Sequence, residues 1–250
     1  MAGASSTQEL IPSHAVFHTT RWSVVLAAQG TESGEASRSL EALCRQYWAP
    51  LYAYARRRGA TPHDAEDLTQ AFFTRLLEKE WLTAVKRERG CFRSFLLMAL
   101  KRFMANEWDR AQAQKRGGGH TIISIDTELA ENLYVANAAA QSLPPESVYE
   151  RRWAFTLLET VMGRLKAEHL AAGKLTEYEL LKHCLTAERG GIQYDDLAAR
   201  LKMDPASVRS AVHRLRKRFR AIFREEVAGT VADPNDVDGE MRAVIAALGS

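Results

Sequence analysis

The stretch at residues 204–226, DPASVRSAVHRLRKRFRAIFREE, decides the fold expected for this 250-residue chain. Asp204 is a favourable N-cap, and Pro205 is tolerated as a first helical residue. Apolar residues then recur at alternating steps of four and three, which places them on one face of a helix: Val208, Val212, Leu215, Phe219 and Ile222. The pattern therefore predicts one long amphipathic helix.

The remaining faces of this helix are strongly basic. Positive charges this dense repel one another unless an anion lies nearby. A solvated surface face is the alternative interpretation, but surface helices usually carry both signs of charge. Between the N-cap and the next acid, Glu225, the basic residues are Arg209, Arg214, Arg216, Lys217, Arg218, Arg220 and Arg224.

A short helix is predicted directly upstream, at residues 194–201, YDDLAARL. Residues 202–204 would then form a tight turn into the long basic helix. A short helix, a three-residue turn and a longer basic helix are typical of a helix-turn-helix that binds duplex DNA. Because such units occur in many regulators, this pattern predicts DNA binding without deciding the role.

The composition and the distribution of charge indicate which class of protein to expect. The formal net charge is only +3, but basic residues concentrate at 101–116 and 209–224, against an acidic patch at 64–67. Local patches, rather than totals, determine the attraction to nucleic acid. No apolar run is long enough to span a bilayer, and the N-terminus lacks signal-peptide features, so we expect a cytoplasmic protein without a membrane partner.

No motif in the sequence indicates catalysis. Cys44, Cys91 and Cys184 lie far apart and lack the spacing of a zinc site. There is no glycine-rich phosphate loop after a strand and no nucleophile elbow. We therefore expect no enzyme activity, catalytic residue, metal or cofactor.

Helical periodicity without convincing strand alternation predicts an all-α fold, with two helical domains and a flexible linker. The further helices are expected at 21–29, 37–58, 61–79, 92–114, 146–173, 176–186 and 237–248. Pro50 should kink or split the second of these. The expected organisation is an N-terminal extension with a short helix (1–34), a first helical domain (35–118), a linker (119–148), a helix-turn-helix domain (149–229) and a C-terminal extension (230–250).

Three features follow one another in a fixed order: DAEDLTQ at 64–70, RGCFRSFLLMALKRFMANEWDRAQAQKR at 89–116, and the helix-turn-helix. This order resembles bacterial RNA polymerase sigma factors of the extracytoplasmic-function type. The first two stretches resemble sigma region 2 of that family, and residues 194–220 resemble sigma region 4. The long linker and the closing TVADPNDVDGEMRAVIAAL also resemble a subgroup found beside serine/threonine kinases.

The resemblance implies that the acidic helix start binds core RNA polymerase, at the clamp helices of its largest subunit. An acidic first turn suits a basic partner, because opposite patches steer encounter. The same acids would also stabilise their own helix by about 0.3–1 kcal/mol each, and the two roles are compatible. The residues concerned are Asp64, Glu66, Asp67 and Gln70.

Region 2 would also bind the melted strand of the minus-ten promoter element. Single-strand binding requires a basic groove and flat faces for unstacked bases, and the loop at 85–91 would hold one flipped base. By pattern, Phe95 and Phe103 belong to the core. The polar contacts would come from Arg87, Arg89, Arg93, Lys101, Arg102, Asn106 and Arg110.

Region 4 would read the minus-thirty-five element as duplex DNA, with the start of its basic helix in the major groove. The residues expected to face the bases are Ser207, Arg209, Ser210, His213 and Arg214. Arg216, Lys217 and Arg218 are expected to meet phosphates, which makes binding depend steeply on salt.

The acidic helix departs from the family pattern at two positions. Ala71 stands where the family usually carries an acid, and Thr69 where an aliphatic residue is common. We therefore hypothesise that phosphorylation of Thr69 or Thr74 by a serine/threonine kinase restores the charge, since a phosphate adds about −1.5 to −2. An anti-sigma regulator is the other partner considered. The competing function is a helix-turn-helix repressor or activator that does not bind polymerase.

Overall fold

The structure, a computed structural model, describes residues 34–77, 91–113, 127–135, 142–188, 190–231 and 233–249. Within these residues the fold is all-helical and contains no strand, which confirms the predicted fold class. The helix expected at 21–29 lies outside the described residues.

Nine α-helices follow one another through the described part of the chain. They are α1 Gly34–Arg57, α2 Pro62–Leu77, α3 Phe92–Ala113, α4 Thr127–Val135, α5 Pro145–Ala171, α6 Leu175–Leu181, α7 Tyr194–Leu201, α8 Pro205–Thr230 and α9 Val237–Gly249. Short 3-10 helices at Lys182–Leu185 and Pro234–Asp236 continue α6 and precede α9.

A kink or a split was expected at Pro50; helix α1 continues through this residue, so the split does not occur. Pro50 is buried, and Leu51 and Tyr52 beside it are fully buried. Helical stability in proteins comes mainly from packing of an apolar face against neighbours. Packing of α1 against α2 and α5 therefore maintains the helix across the hydrogen bond that proline removes.

Helix α4 lies within the stretch expected to be a flexible linker. Its Glu131 carboxylate accepts hydrogen bonds from Nε and Nη2 of Arg56, both at 3.0 Å. Tyr52 also donates to Glu131, and the Arg56 guanidinium lies 5.1 Å from the centre of the Tyr134 ring. Part of the expected linker is therefore an ordered helix held against α1.

Helix α5 connects the two halves of the molecule. It contacts α1, α8 and α9, and its Tyr149 and Trp153 are at most 1% exposed. The Tyr149 hydroxyl donates to the backbone carbonyl of Arg93 in α3, at 2.9 Å. One apolar cluster includes residues of both expected helical domains, so the two pack directly against each other.

The expected short helix, turn and long basic helix are present as α7, residues 202–204 and α8. The turn is possible because Lys202 adopts a left-handed conformation with φ of 53°. Asp204 then caps α8, accepting a hydrogen bond from the Ser207 amide at 2.9 Å. Helix α8 ends at Thr230, four residues beyond the expected end.

Candidate nucleic-acid interface

An acidic surface lies at the start of α2, and we call Asp64, Glu66, Asp67 and Gln70 the α2 acidic surface. Thr61 and Asp64 form a reciprocal cap: the Asp64 amide donates to the Thr61 hydroxyl at 3.2 Å, and that hydroxyl donates to the Asp64 carboxylate at 2.7 Å. Asp64 and Asp67 are exposed, whereas Glu66 and Gln70 are half-buried. The cap thus fixes the helix start while leaving both aspartates open to a partner.

His63 borders this surface and lies beside one of its carboxylates. Its Nδ1 lies 3.2 Å from Asp67 Oδ2. A backbone hydrogen bond, and then the charge of Asp67, raise the pKa of the exposed His63 side chain. Along the helix, Gln70 donates to Glu66 at 3.3 Å, so the four members of the surface are neighbours.

Of the two candidate phosphorylation sites, Thr69 is inaccessible in this structure. Thr69 is 0% exposed, and its hydroxyl donates to the Ala65 carbonyl at 2.6 Å. The Thr69 hypothesis is therefore wrong for the folded chain, because a kinase must reach the hydroxyl. Thr74 is half-buried and donates to the Gln70 carbonyl at 3.0 Å, so it is the candidate that remains.

The residues predicted to bind the minus-ten strand fall into three groups. Arg102 and Asn106 are exposed and lie one turn apart on α3. Lys101 is half-buried and forms an ion pair with Glu146 of α5 at 2.6 Å. Arg87, Arg89 and the side chain of Arg110 lie outside what the structure describes.

Arg93 does not face solvent, contrary to its expected role in DNA binding. It is 9% exposed, and its guanidinium forms ion pairs with Glu150 of α5 and Glu240 of α9. Sequence reasoning missed Glu150 and Glu240, since no local signal connects either residue to Arg93. Phe103 is buried and Phe95 packs against the core, as their positions in the apolar stripe predicted.

The start of α8 presents an exposed polar face, formed by Arg209, Ser210, His213 and Arg214. The Arg209 guanidinium lies 5.2 Å from the centre of the Tyr194 ring of α7. Ser207 is half-buried and its hydroxyl donates to Asp204. Hydrogen bonds from Ser207 lower the pKa of the Asp204 carboxyl, so the cap is charged at neutral pH.

Arg216 and Arg218, expected at phosphates, instead hold α8 in the fold. Arg216 donates to the Cys184 carbonyl at 3.0 and 2.7 Å and to the Ala187 carbonyl at 2.8 Å. Arg218 donates to Glu168 of α5 at 2.8 and 2.7 Å. The sequence alone did not predict these contacts, because the partners are distant in sequence, and the binding of both arginines to phosphate stays a prediction. Lys217 is exposed and remains available to an anion.

The described residues lack two kinds of feature, a helix suited to crossing a membrane and a cluster suited to holding a metal ion. Among the described residues, none of the helices combines the length and apolar character that crossing a membrane requires. The same residues contain no group of three or more histidines, cysteines and acids arranged to hold a metal ion.

Comparison with known protein families gives a match over part of the chain. Residues 43–114 match a family model described as sigma-70 region 2, so the matched segment runs from α1 through α3. No curated protein and no solved structure matches the chain. The match covers under a third of the 250 residues. It supports a sigma-70 family sigma factor, with a role in promoter recognition and RNA polymerase binding.

Proposed function

We propose that this protein is a sigma factor of the extracytoplasmic-function type, which binds core RNA polymerase and directs it to promoters. The observation that carries the proposal is the match to sigma-70 region 2 over α1–α3. The α2 acidic surface supports it, because Asp64 and Asp67 are exposed and can attract a basic partner. Its partner is the clamp helices of the largest polymerase subunit. A factor with this partner works in the cytoplasm.

Promoter melting in this proposal requires no catalytic chemistry, and the protein is not an enzyme. Arg102 and Asn106 of α3 provide polar contacts to the minus-ten strand, together with the loop that precedes the helix. Capture of an extruded base offsets the few kcal/mol that unstacking costs. The protein thus shifts an equilibrium of the DNA instead of lowering a reaction barrier.

Helix α8 is proposed to act as the recognition helix of sigma region 4. Its exposed face of Arg209, Ser210, His213 and Arg214 would enter the major groove of the minus-thirty-five element. One arginine that pairs with guanine through two hydrogen bonds contributes roughly 1–3 kcal/mol of discrimination. Lys217 would meet a phosphate.

A kinase is the proposed activator, as the resemblance to the kinase-associated subgroup implies. Thr74 follows Gln70 by one helical turn and therefore lies on the same side of α2. Phosphate on Thr74 would extend the α2 acidic surface, where Ala71 leaves it short of an acid. An anti-sigma protein that covers this surface is the alternative form of control.

Run-off transcription with core polymerase and a promoter library tests the proposal. Selective transcripts that share two spaced elements would support it. Clear binding to core polymerase without transcripts would support the requirement for an activator. Duplex binding without affinity for core polymerase would overturn the proposal and leave a helix-turn-helix repressor.

The partner surface is tested separately with the D64N/D67N double variant. Asparagine keeps an oxygen that can accept the cap hydrogen bond from Thr61, so only charge is lost. We expect roughly tenfold weaker binding to core polymerase, because each exposed charge contributes up to about 1 kcal/mol. The matched control is D195N/D196N, which removes two exposed aspartates from the first turn of α7. Equal losses in both variants would contradict the assignment.

A further inference from the structure

The Arg93 guanidinium, in the first turn of α3, is shared between two other helices. Its Nη1 lies 2.6 Å from Glu240 Oε1 and its Nη2 lies 3.3 Å from Glu240 Oε2. Its Nε lies 3.0 Å from Glu150 Oε2, and its central carbon lies 4.6 Å from the centre of the Trp153 ring. Arg93 is thus enclosed by two carboxylates and an aromatic face.

A second cation of α3 also forms an ion pair with a carboxylate of another helix. Lys101 lies 2.6 Å from Glu146 of α5, one turn before Glu150 on that helix. A hydrogen bond from Lys101 lowers the pKa of the Glu146 carboxyl, so this acid is charged at neutral pH. Carboxylates of α5 and α9 therefore occupy two cations of the helix proposed to meet the minus-ten strand.

Carboxylates and phosphates compete for the same groups. Both accept two parallel hydrogen bonds from a guanidinium, and both form charge-assisted bonds with an ammonium. In this structure Glu240 uses the two terminal nitrogens of Arg93, the geometry that a phosphate would also take. A nucleic-acid backbone cannot bind Arg93 while Glu240 remains there.

Of the two helices that supply these carboxylates, α9 is the shorter and has fewer buried side chains, although Met241, Ala247 and Leu248 also pack against the core. It has 13 residues, and its buried side chains are few: Val237, Glu240 and Val244. A further ion pair of α9 among the described residues, Arg224 to Asp238, is 55% and 63% exposed and therefore contributes little. Helix α5, in contrast, carries fully buried residues along its length and is part of the permanent core.

We propose that α9 is an autoinhibitory strap, in which Glu240 occupies Arg93 in place of a promoter phosphate until α9 detaches. The inference rests on the proposed function and concerns how the minus-ten surface is kept inactive. Binding of a promoter phosphate to Arg93 and docking of α9 exclude each other, so each weakens the other by the same factor.

The test is the E240Q variant of the full chain, titrated with a fluorescein-labelled single-stranded oligonucleotide of promoter composition. Glutamine keeps the size of the side chain but weakens its hold on Arg93. Glu150 still balances the buried guanidinium, so the variant does not leave an isolated charge. If α9 is docked in nine-tenths of the wild-type molecules, only one-tenth can bind the oligonucleotide at Arg93. Detaching α9 in every molecule would then lower the apparent Kd about tenfold. We expect a gain of roughly fivefold to tenfold, with helicity unchanged.

The matched control is D238N, which removes one charge from the same helix but breaks the exposed pair with Arg224 of α8. It should bind the oligonucleotide within about twofold of wild type, because an exposed pair contributes little. An equal gain in D238N and E240Q would overturn the role of Glu240, since it would indicate a general effect of charge.

Hydrogen exchange supplies a second measurement that does not depend on a variant. In the wild-type chain, the amides of α9 should lose protection when the oligonucleotide is added at saturation. Unchanged protection, or no gain in affinity in E240Q, would overturn the strap. Transcription with core polymerase tests the proposed function independently. If the protein directs transcription but E240Q binds the oligonucleotide no more tightly than wild type, only the strap proposal is refuted.

Discussion

At the scale of single residues, the basic side chains of α8 divide by their partners. Arg216 and Arg218 are engaged by carbonyls and carboxylates of the same chain, whereas Arg214 and Lys217 are exposed. On the basis of charge alone, all four residues would be expected to bind phosphate. If α8 binds DNA as proposed, we expect the second pair to release more counterions, because the first pair is already engaged within the fold. The proposal therefore places the contribution to folding and the contribution to DNA binding on different residues of one helix.

R216A and K217A should separate these two contributions. R216A leaves the carbonyls of Cys184 and Ala187 without their donor and should cost about 2–3 kcal/mol of unfolding free energy. Its effect on the salt dependence of duplex binding should be small. K217A should leave stability within about 0.5 kcal/mol and lower the slope of log affinity against log salt by about 0.9. Urea titrations and salt series check both, and the reverse pattern would refute the division.

Thr69 and Thr74 should respond differently to glutamate. T69E buries a carboxylate at a fully enclosed position, so we expect a loss of about 3 kcal/mol or more, or failure to fold. T74E should fold and bind core polymerase more tightly than wild type. Circular dichroism and a pull-down with core polymerase measure the two outcomes. A well-folded T69E variant would contradict the burial, and unchanged binding by T74E would remove the kinase proposal.

At the scale of elements, α4 depends on contacts from outside itself. A nine-residue helix is too short to be stable alone in water. Arg56 and Tyr52 of α1 supply hydrogen bonds to Glu131, and Ala130 is buried in the core. The segment between the two halves therefore contains an ordered helix that is fixed to α1.

The Glu131 contact should make the chain sensitive to acid. Hydrogen bonds from Arg56, and then from Tyr52, lower the pKa of Glu131 below its usual 4.5. The stabilisation is therefore complete above the unfolded pKa and is lost as pH falls through the lower folded pKa. We expect E131Q to be less stable than wild type by about 1 kcal/mol at pH 7, with the gap closing below about pH 4. A gap that is constant with pH would contradict this assignment.

At the scale of the whole molecule, α5 makes the two halves one folding unit. Residues of α1, α3, α5, α8 and α9 share one apolar cluster, and the Tyr149 hydroxyl connects α5 to the backbone of α3. Such continuity favours cooperative unfolding. In the strap proposal, α9 detaches locally while the rest of the core stays folded.

Urea unfolding should therefore give one transition. Far-ultraviolet circular dichroism and tryptophan fluorescence should show the same midpoint, since Trp48 lies in α1 and Trp153 in α5, both within the shared cluster. Y149F should lower that midpoint for both probes together, at a cost of about 1 kcal/mol. Two separated transitions would mean that the halves fold independently.

Much of the candidate site could be predicted because its signals are local. Helical periodicity identified the helices from α1 to α9, apart from α4, and the cap of α8 by Asp204 followed from neighbours in sequence. The exposure of Asp64 and Asp67 also followed from the position of acids at a helix start. Each signal involves residues within a turn or two of each other, which is the range that periodicity and capping describe.

The tertiary structure alone decided which charged residues are free. Arg93 meets Glu240 across 147 positions of sequence, and Arg218 meets Glu168 across 50. Thr69 is fully buried, although the sequence of its own helix does not distinguish it from an exposed threonine. Periodicity assigns a residue to a face, but the packing of distant helices determines whether that face meets solvent, a carboxylate or the core. By itself, the sequence determined the helices, their caps and the resemblance to a sigma factor, because those depend on near neighbours.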